Sequence, residues 1–230
     1  MGKYRGGFAW SSNMTEGDPY LVFNLHPVMM ILGFFVFPTQ AILVFRMMPM
    51  EHYKAKVYHF VCHLLSMICI AIGVTAAIVY HYRLEYDTSV SQDYPHMVSL
   101  HSWFGIATLG CFAFQFLTGF LGYCWPKLNF DARKSTLPFH QFLGMITFIM
   151  ACMTSSLGIM NKVMDLQTVQ KIARMGPEVQ LANWMGLAIG LLMAFMIYVI
   201  MSQVNKKRER GSAEEVESLR REKSSYDHDY

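Results

Sequence analysis

Five stretches of the chain carry no Asp, Glu, Lys or Arg: Pro27 to Phe45, Val57 to Tyr80, Met97 to Trp125, Ser135 to Asn161 and Val179 to Asn205. Each reaches the roughly 20 residues that a helix needs to cross about 30 Å of hydrocarbon. In lipid every backbone N–H and C=O must be satisfied inside a helix or a closed barrel, and runs of this length exclude barrel strands. The prediction is an all-α membrane protein, a helical bundle of five transmembrane helices. Only 15% of the residues are charged, against roughly 25% in soluble domains, so a second folded domain and a nucleic-acid partner are not expected.

Three regions follow. Residues 1–25 form an N-terminal segment, residues 26–205 the transmembrane domain, and residues 206–230, dense in both signs of charge, a tail expected to be solvated and disordered. Ten basic residues gather at one set of helix ends: Arg46, Lys54, Lys56, Lys127, Arg133, Lys134, Lys206, Lys207, Arg208 and Arg210. Six lie at the other: Lys3, Arg5, Arg83, Lys162, Lys171 and Arg174. The richer set belongs in the cytoplasm. That orientation puts the C-terminus inside and the N-terminal segment outside, where Asn13-Met14-Thr15 is a glycosylation sequon. No signal peptide is visible, and Gly6 breaks the myristoylation pattern. Cys62, Cys69, Cys111, Cys124 and Cys152 read as apolar filler, with no disulfide or zinc spacing.

Five histidines, His26, His59, His63, His101 and His140, sit inside or at the edge of the apolar runs. An ionisable ring in the membrane is expensive, so each calls for a partner and a role. Short loops make successive helices alternate direction. His26 and His101 open the first and third helices and share the outer side; His59 and His140 open the second and fourth and share the inner side. Two cross-bundle pairs at two levels are where four-helix bundles build cofactor sites. Two hemes, each axially held by two histidines, satisfy all four rings. Without Cys-x-x-Cys-His the hemes are non-covalent, hence b-type. Two axial ligands leave no open iron position, which favours electron transfer. Pairs lying a turn inside each face put the irons about 20 Å apart. Gly105 and Gly144, four residues after a histidine, and Gly33, seven after His26, are expected to open room for a flat ring. His63, four residues after His59, competes for the inner role; His59 is taken as the ligand and His63 as a neighbouring polar group. Gln115 reads as a hydrogen-bonded core amide.

The stretches FNLHPVMMILG (23–33), AILVFR (41–46), KVYHFVCH (56–63), SLHSWFG (99–105), ARKSTLPFHQFLG (132–144) and LANWMG (181–186) resemble, in order, the cytochrome b561 family of transmembrane ascorbate-dependent oxidoreductases. The resemblance implies six helices, the central four holding two b hemes on the same histidine pairs. Because YRGGFAW (4–10) is similar to the segment that follows the family's first helix, the chain is expected to lack that helix and keep five. It further implies electrons passing from cytoplasmic ascorbate to an outer acceptor, monodehydroascorbate or a ferric chelate. A plasma membrane or an endomembrane vesicle or vacuole, and a homodimer, are also implied.

The family pattern maps the inner donor site onto Lys56 and Arg133, with Arg46 beside them. A basic rim suits ascorbate, a monoanion at neutral pH. For the outer site, His81 and Asn183 match family positions. Val98, Phe45 in Val44-Phe45-Arg46, and the long turn from His81 to His101 depart from the pattern. The rival reading is a metal-ion or proton transporter whose path the same four histidines line; against it, they lie at two levels and no intramembrane Asp or Glu accompanies them.

Overall fold

The computed structural model describes the backbone at residue 7 and residues 19–87, 99–168 and 171–228, and side chains at 7, 21–82, 99–168, 171–202, 214 and 216–218. The sequon at Asn13, Val98, most of the turn between His81 and His101, and the side chains of Lys3, Arg5, Arg83 and the basic run 206–210 lie outside these residues. Among the described residues all regular structure is helical: α1 (Pro19–Phe23), α2 (Leu25–Ile31), a π-helical turn (Leu32–Val36), α3 (Phe37–Met47), α4 (His52–Asp87), α5 (Leu100–Tyr123), α6 (Phe130–Thr168) and α7 (Pro177–His228). They supply five spans long and apolar enough to cross a bilayer, at Leu21–Met47, His52–Tyr82, Leu100–Tyr123, Phe130–Thr168 and Pro177–Ser202, as the charge-free runs predict. Large apolar side chains such as Ile78, Leu117 and Phe142 point outward, an arrangement that lipid tolerates and water would not.

Two compact units divide the chain, Met1–Gly190 and Leu191–Tyr230. The second unit is the C-terminal part of α7, and its backbone stays helical to His228. The charged segment expected to be a solvated tail, residues 206–230, lies in this unit. Charge density denies the segment a core, but it does not lower helix propensity: Ala213 and Leu219 are good formers, and Glu217 precedes Arg221 at the favourable i,i+4 spacing.

Within the first unit, α1 to α3 and the π-turn lie against α4, and α5 lies against α6. Both are antiparallel hairpins. In the first, His26 meets Gly73, Gly33 meets Ser66 and Ala41 meets His59. In the second, His101 meets Thr154, and Gln115 meets His140.

The π-turn has a local cause. Pro38 has no N–H and its ring crowds the carbonyl one turn back, so the ladder of the first span cannot continue through it. The Phe37 N–H bonds to Leu32 O, and the carbonyl of Gly33, whose partner in the wider turn would be Pro38, is left without a helical donor. Ser66, fully buried on α4, donates its hydroxyl to Gly33 O. The contact requires the backbones to approach closely: a Cβ on Gly33 would lie 2.6 Å from Ile70 Cγ1. Gly33 is therefore a helix-contact residue and does not open space for a cofactor, contrary to the expectation from its spacing.

The two hairpins meet mainly through rings. Phe34 meets Phe112 at a centroid distance of 5.6 Å, Phe35 meets Phe148 at 6.0 Å, and Phe60 meets Phe116 at 6.1 Å. Close backbone packing lies inside each hairpin, so the seam between hairpins is held apart by large flat side chains.

Candidate functional site

The four predicted histidines are brought together in the predicted pairs. His26 and His101 have ring centroids 6.2 Å apart, and His59 and His140 6.3 Å apart. Each pair joins one hairpin to the other across the seam.

Helix starts and register create this placement. Ser99 caps α5, accepting the Ser102 N–H at 3.2 Å, which fixes His101 in the first turn. Its ring then reaches back to the far part of α6, where Nδ1 lies 2.9 Å from Thr154 O. His26 Nδ1 is 2.9 Å from Gly73 O on α4, and His59 Nδ1 is 2.7 Å from Ala41 O on α3. A carbonyl can only accept, so in all three rings Nδ1 carries a proton and donates it, which leaves Nε2 as the nitrogen that could ligate a metal. This is the tautomer and the backbone anchoring that metal-binding histidines need. His140 is positioned by other means: Gln115 Nε2 donates to its backbone oxygen at 2.6 Å, and the Tyr123 ring lies 5.4 Å away.

Metal–imidazole bonds of about 2 Å, with about 1.1 Å from ring nitrogen to ring centre, put two axial imidazoles of one metal about 6 Å apart centre to centre. Both observed separations agree with that value. The seam of rings with few close backbone contacts also suits a flat macrocycle. The residues present fit a heme at each pair.

Glycines of the second hairpin seat the rings, and these are ones that sequence reasoning missed. A Cβ on Gly158 would come within 2.8 Å of His101 Cε1, and one on Gly119 within 3.1 Å of His140 Cε1. Gly144, expected to make room for a macrocycle, makes room for Gln115 instead, whose Nε2 would lie 3.0 Å from an added Cβ. At Gly105 an added Cβ would make an ordinary 3.7 Å contact with Thr154. A signal was available: from His101 to Gly119 and from His140 to Gly158 the spacing is the same 18 residues. At 1.5 Å per residue the two levels are then about 27 Å apart along these helices.

His63 lies 4.5 Å from His59 and 5.9 Å from Phe112, ring to ring. It sits beside the inner pair, whereas His59 is the ring placed against His140 and anchored through Nδ1.

Two of the basic candidates meet Tyr123 at the inner level. Lys56 donates to the carbonyl of Tyr123 at the end of α5, a cation on the negative end of a helix dipole. The Tyr123 hydroxyl donates to Arg133 O at 3.4 Å. Tyr123 thus connects both candidates to His140; it too was missed. Arg46 follows Phe45, whose ring lies 5.3 Å from His59. At the outer level a chain of rings runs from His26 through Phe23 (5.5 Å) and Tyr80 (4.6 Å) to His81 (5.3 Å). Asn183 is exposed in the second turn of α7, and among the described residues no hydrogen bond joins it to either pair.

The family model described as eukaryotic cytochrome b561 matches residues 25–165, the stretch that contains all four histidines. A transmembrane ascorbate ferrireductase 2 of Arabidopsis thaliana is 36% identical over 89% of this chain and 84% of its own length. A transmembrane ascorbate-dependent reductase of Bos taurus is 30% identical over 95% and 81% of the two chains. An ascorbate-specific transmembrane electron transporter 1 of Zea mays is 28% identical over 91% and 84%. With the family model covering more than half of its residues, and relatives matched along most of its length, the chain belongs to the eukaryotic cytochrome b561 family.

Proposed function

We propose that this protein is a transmembrane oxidoreductase that takes single electrons from cytoplasmic ascorbate and delivers them through two b-type hemes to a non-cytoplasmic acceptor, monodehydroascorbate or a ferric chelate. The observation that carries the reading is the pair of cross-hairpin histidine couples, 6.2 and 6.3 Å apart between ring centres, with Nδ1 of three rings tied to backbone carbonyls. The names of the relatives supply ascorbate as the donor.

In this reading His26 and His101 hold the outer heme and His59 and His140 the inner one. When bound, the heme iron supplies reversible one-electron chemistry between its ferric and ferrous states. The protein's own part is placement. Backbone carbonyls fix the tautomer and rotation of His26, His59 and His101, and Gln115 and Tyr123 position His140, so the rings that would hold the hemes are preorganised. Lys56, Arg133 and Arg46 place positive charge at the inner rim, where it draws in an anionic donor and gives it charged hydrogen-bond donors. His81, next to Tyr80, is the outer acceptor-site candidate with a ring path to His26; Asn183 is the second. The bilayer-facing surface excludes water from the seam, so electrons enter and leave only at the two rims. The membrane is the plasma membrane or that of a vesicle or vacuole, and the basic helix ends orient the C-terminus to the cytoplasm.

A reduced-minus-oxidised spectrum of the purified full-length protein, titrated with ascorbate, tests this beside His59→Ala and His101→Ala. The expected result is two ascorbate-reducible b hemes per chain, with each variant losing one. Well-folded protein that binds no heme refutes the reading and favours metal-ion or proton translocation along the histidines. The ring contacts Phe34–Phe112 and Phe35–Phe148 between the two levels support the electron-transfer reading.

A further inference from the structure

Between the two histidine levels, buried phenylalanines from both hairpins meet across the seam. Phe34 and Phe35 come from the π-turn, Phe112 from α5 and Phe148 from α6, and all four are buried. Each lies near the middle of its span. Phe34 is eight residues past His26, with Ala41, at the inner level, seven further on; Phe148 is eight past His140 and ten before Gly158. Of the four spans in the two hairpins, the one with no phenylalanine at this depth is α4. Its mid-level residue is Ser66, seven residues from both His59 and Gly73, small enough for the first span to lie against it. The hydroxyl of Ser66 and the missing N–H of Pro38 together hold the wide turn that carries Phe34 and Phe35.

The rings are also connected. From His59 the sequence of centroid distances is 4.5 Å to His63, 5.9 Å on to Phe112 and 5.6 Å on to Phe34. The path starts at an inner-pair histidine and ends on the helix that carries His26, about 12 Å along it at 1.5 Å per residue. Electron tunnelling falls off exponentially with gap, and more steeply through empty space than through bonded or tightly packed atoms. A run of packed π-systems from the inner pair to mid-span therefore shortens the part of the gap that remains to be crossed to the outer pair.

We infer that Phe112 and Phe34, with His63, form an aromatic bridge that couples the two histidine levels electronically. The inference rests on the function proposed above. In the step it describes, one electron leaves the inner site, which is oxidised by one unit, and arrives at the outer site, which is reduced by one unit; no bond forms or breaks and no proton is required. The donor is the ascorbate-class reductant at the inner rim and the acceptor the oxidant at the outer rim. The bridging side chains are neither oxidised nor reduced, and they touch no substrate.

Phe112→Leu and Phe34→Leu keep apolar volume and remove the ring. The test uses the full-length protein in vesicles, with ascorbate added on one side by rapid mixing. Heme content, the two midpoint potentials and the rate at which the second heme becomes reduced are each read out. Slower reduction of the second heme, with heme content and both potentials at wild-type values, is the expected result. Phe112→Trp should restore the rate, and Phe114→Leu, at a 52% exposed lipid-facing position on the same helix, should leave it unchanged. If Phe112→Leu loses heme, Phe34→Leu provides the same comparison. Either leucine variant transferring at the wild-type rate with both hemes bound overturns the bridge and leaves the function standing. Wild-type protein without ascorbate-reducible heme overturns both.

Discussion

The seat of His101 on Gly158 yields a graded prediction. A Cβ at 158 would stand 2.8 Å from Cε1 and 2.9 Å from Nδ1 of His101, whereas heavy atoms in good contact settle about 3.5–4.0 Å apart. The His101 ring must therefore withdraw by roughly an ångström in Gly158→Ala. The backbone of α6 cannot give instead, because it is locked in its own ladder. Withdrawal breaks the bond to Thr154 O, a net loss of about 0.5–1.5 kcal/mol, and overpacking adds about 1–3 kcal/mol. Together these give about 1.5–4.5 kcal/mol, so the outer pair should hold its heme roughly 10- to 1,600-fold more weakly, at 1.4 kcal/mol per tenfold. At Gly119 the Cβ would lie 3.1 Å from His140 Cε1, and a ring without a carbonyl anchor can yield by a few tenths of an ångström, so Gly119→Ala should be mild. Gly105→Ala, at 3.7 Å, and Gly110→Ala, with nothing within 4 Å, should be silent. Heme per chain, and the rate at which heme is lost to an excess of apomyoglobin, measure the series. Gly158→Ala retaining heme as firmly as Gly110→Ala would refute the argument that this glycine seats the ligand.

Three further outcomes follow from the same geometry. Ser66→Ala leaves the Gly33 carbonyl buried without a donor and should lower stability by about 1–3 kcal/mol; in a Pro38→Ala background a backbone N–H becomes available, so the same change should cost less, a coupling that thermal unfolding in detergent reads as a double-mutant cycle. Lys56→Gln removes the charge at the inner rim; it should raise the KM for ascorbate and flatten the dependence of kcat/KM on ionic strength, with heme content unchanged. His63→Phe should keep both hemes, as judged by the b-type spectrum, because His59 supplies the ligand; loss of the inner heme would exchange the two roles.

The tyrosine and the glycines that surround the inner and outer pairs show where sequence reasoning stopped. Tyr123 sits at the end of an apolar run, and nothing in its neighbourhood separates it from other aromatic residues at membrane interfaces. Its importance comes from Lys56 reaching it from α4 and His140 from α6. Gly33 and Gly144 had the spacing expected of residues making room for a cofactor, but a helix periodicity says only which residues share a face, not which neighbour that face meets.

What the sequence determined by itself is what one-dimensional rules control. Charge-free length sets the number of spans, because the bilayer has one thickness and backbone groups in it have one helical solution. Alternating direction sets which histidines share a level, because parity needs no knowledge of packing. The tertiary structure decided what depends on rotation and register between helices: which carbonyls anchor His26, His59 and His101, which glycines seat His101 and His140, and which phenylalanines lie between the levels. Those choices turn on contacts between residues far apart in the chain, with packing tolerances of a few tenths of an ångström, and no local pattern encodes them.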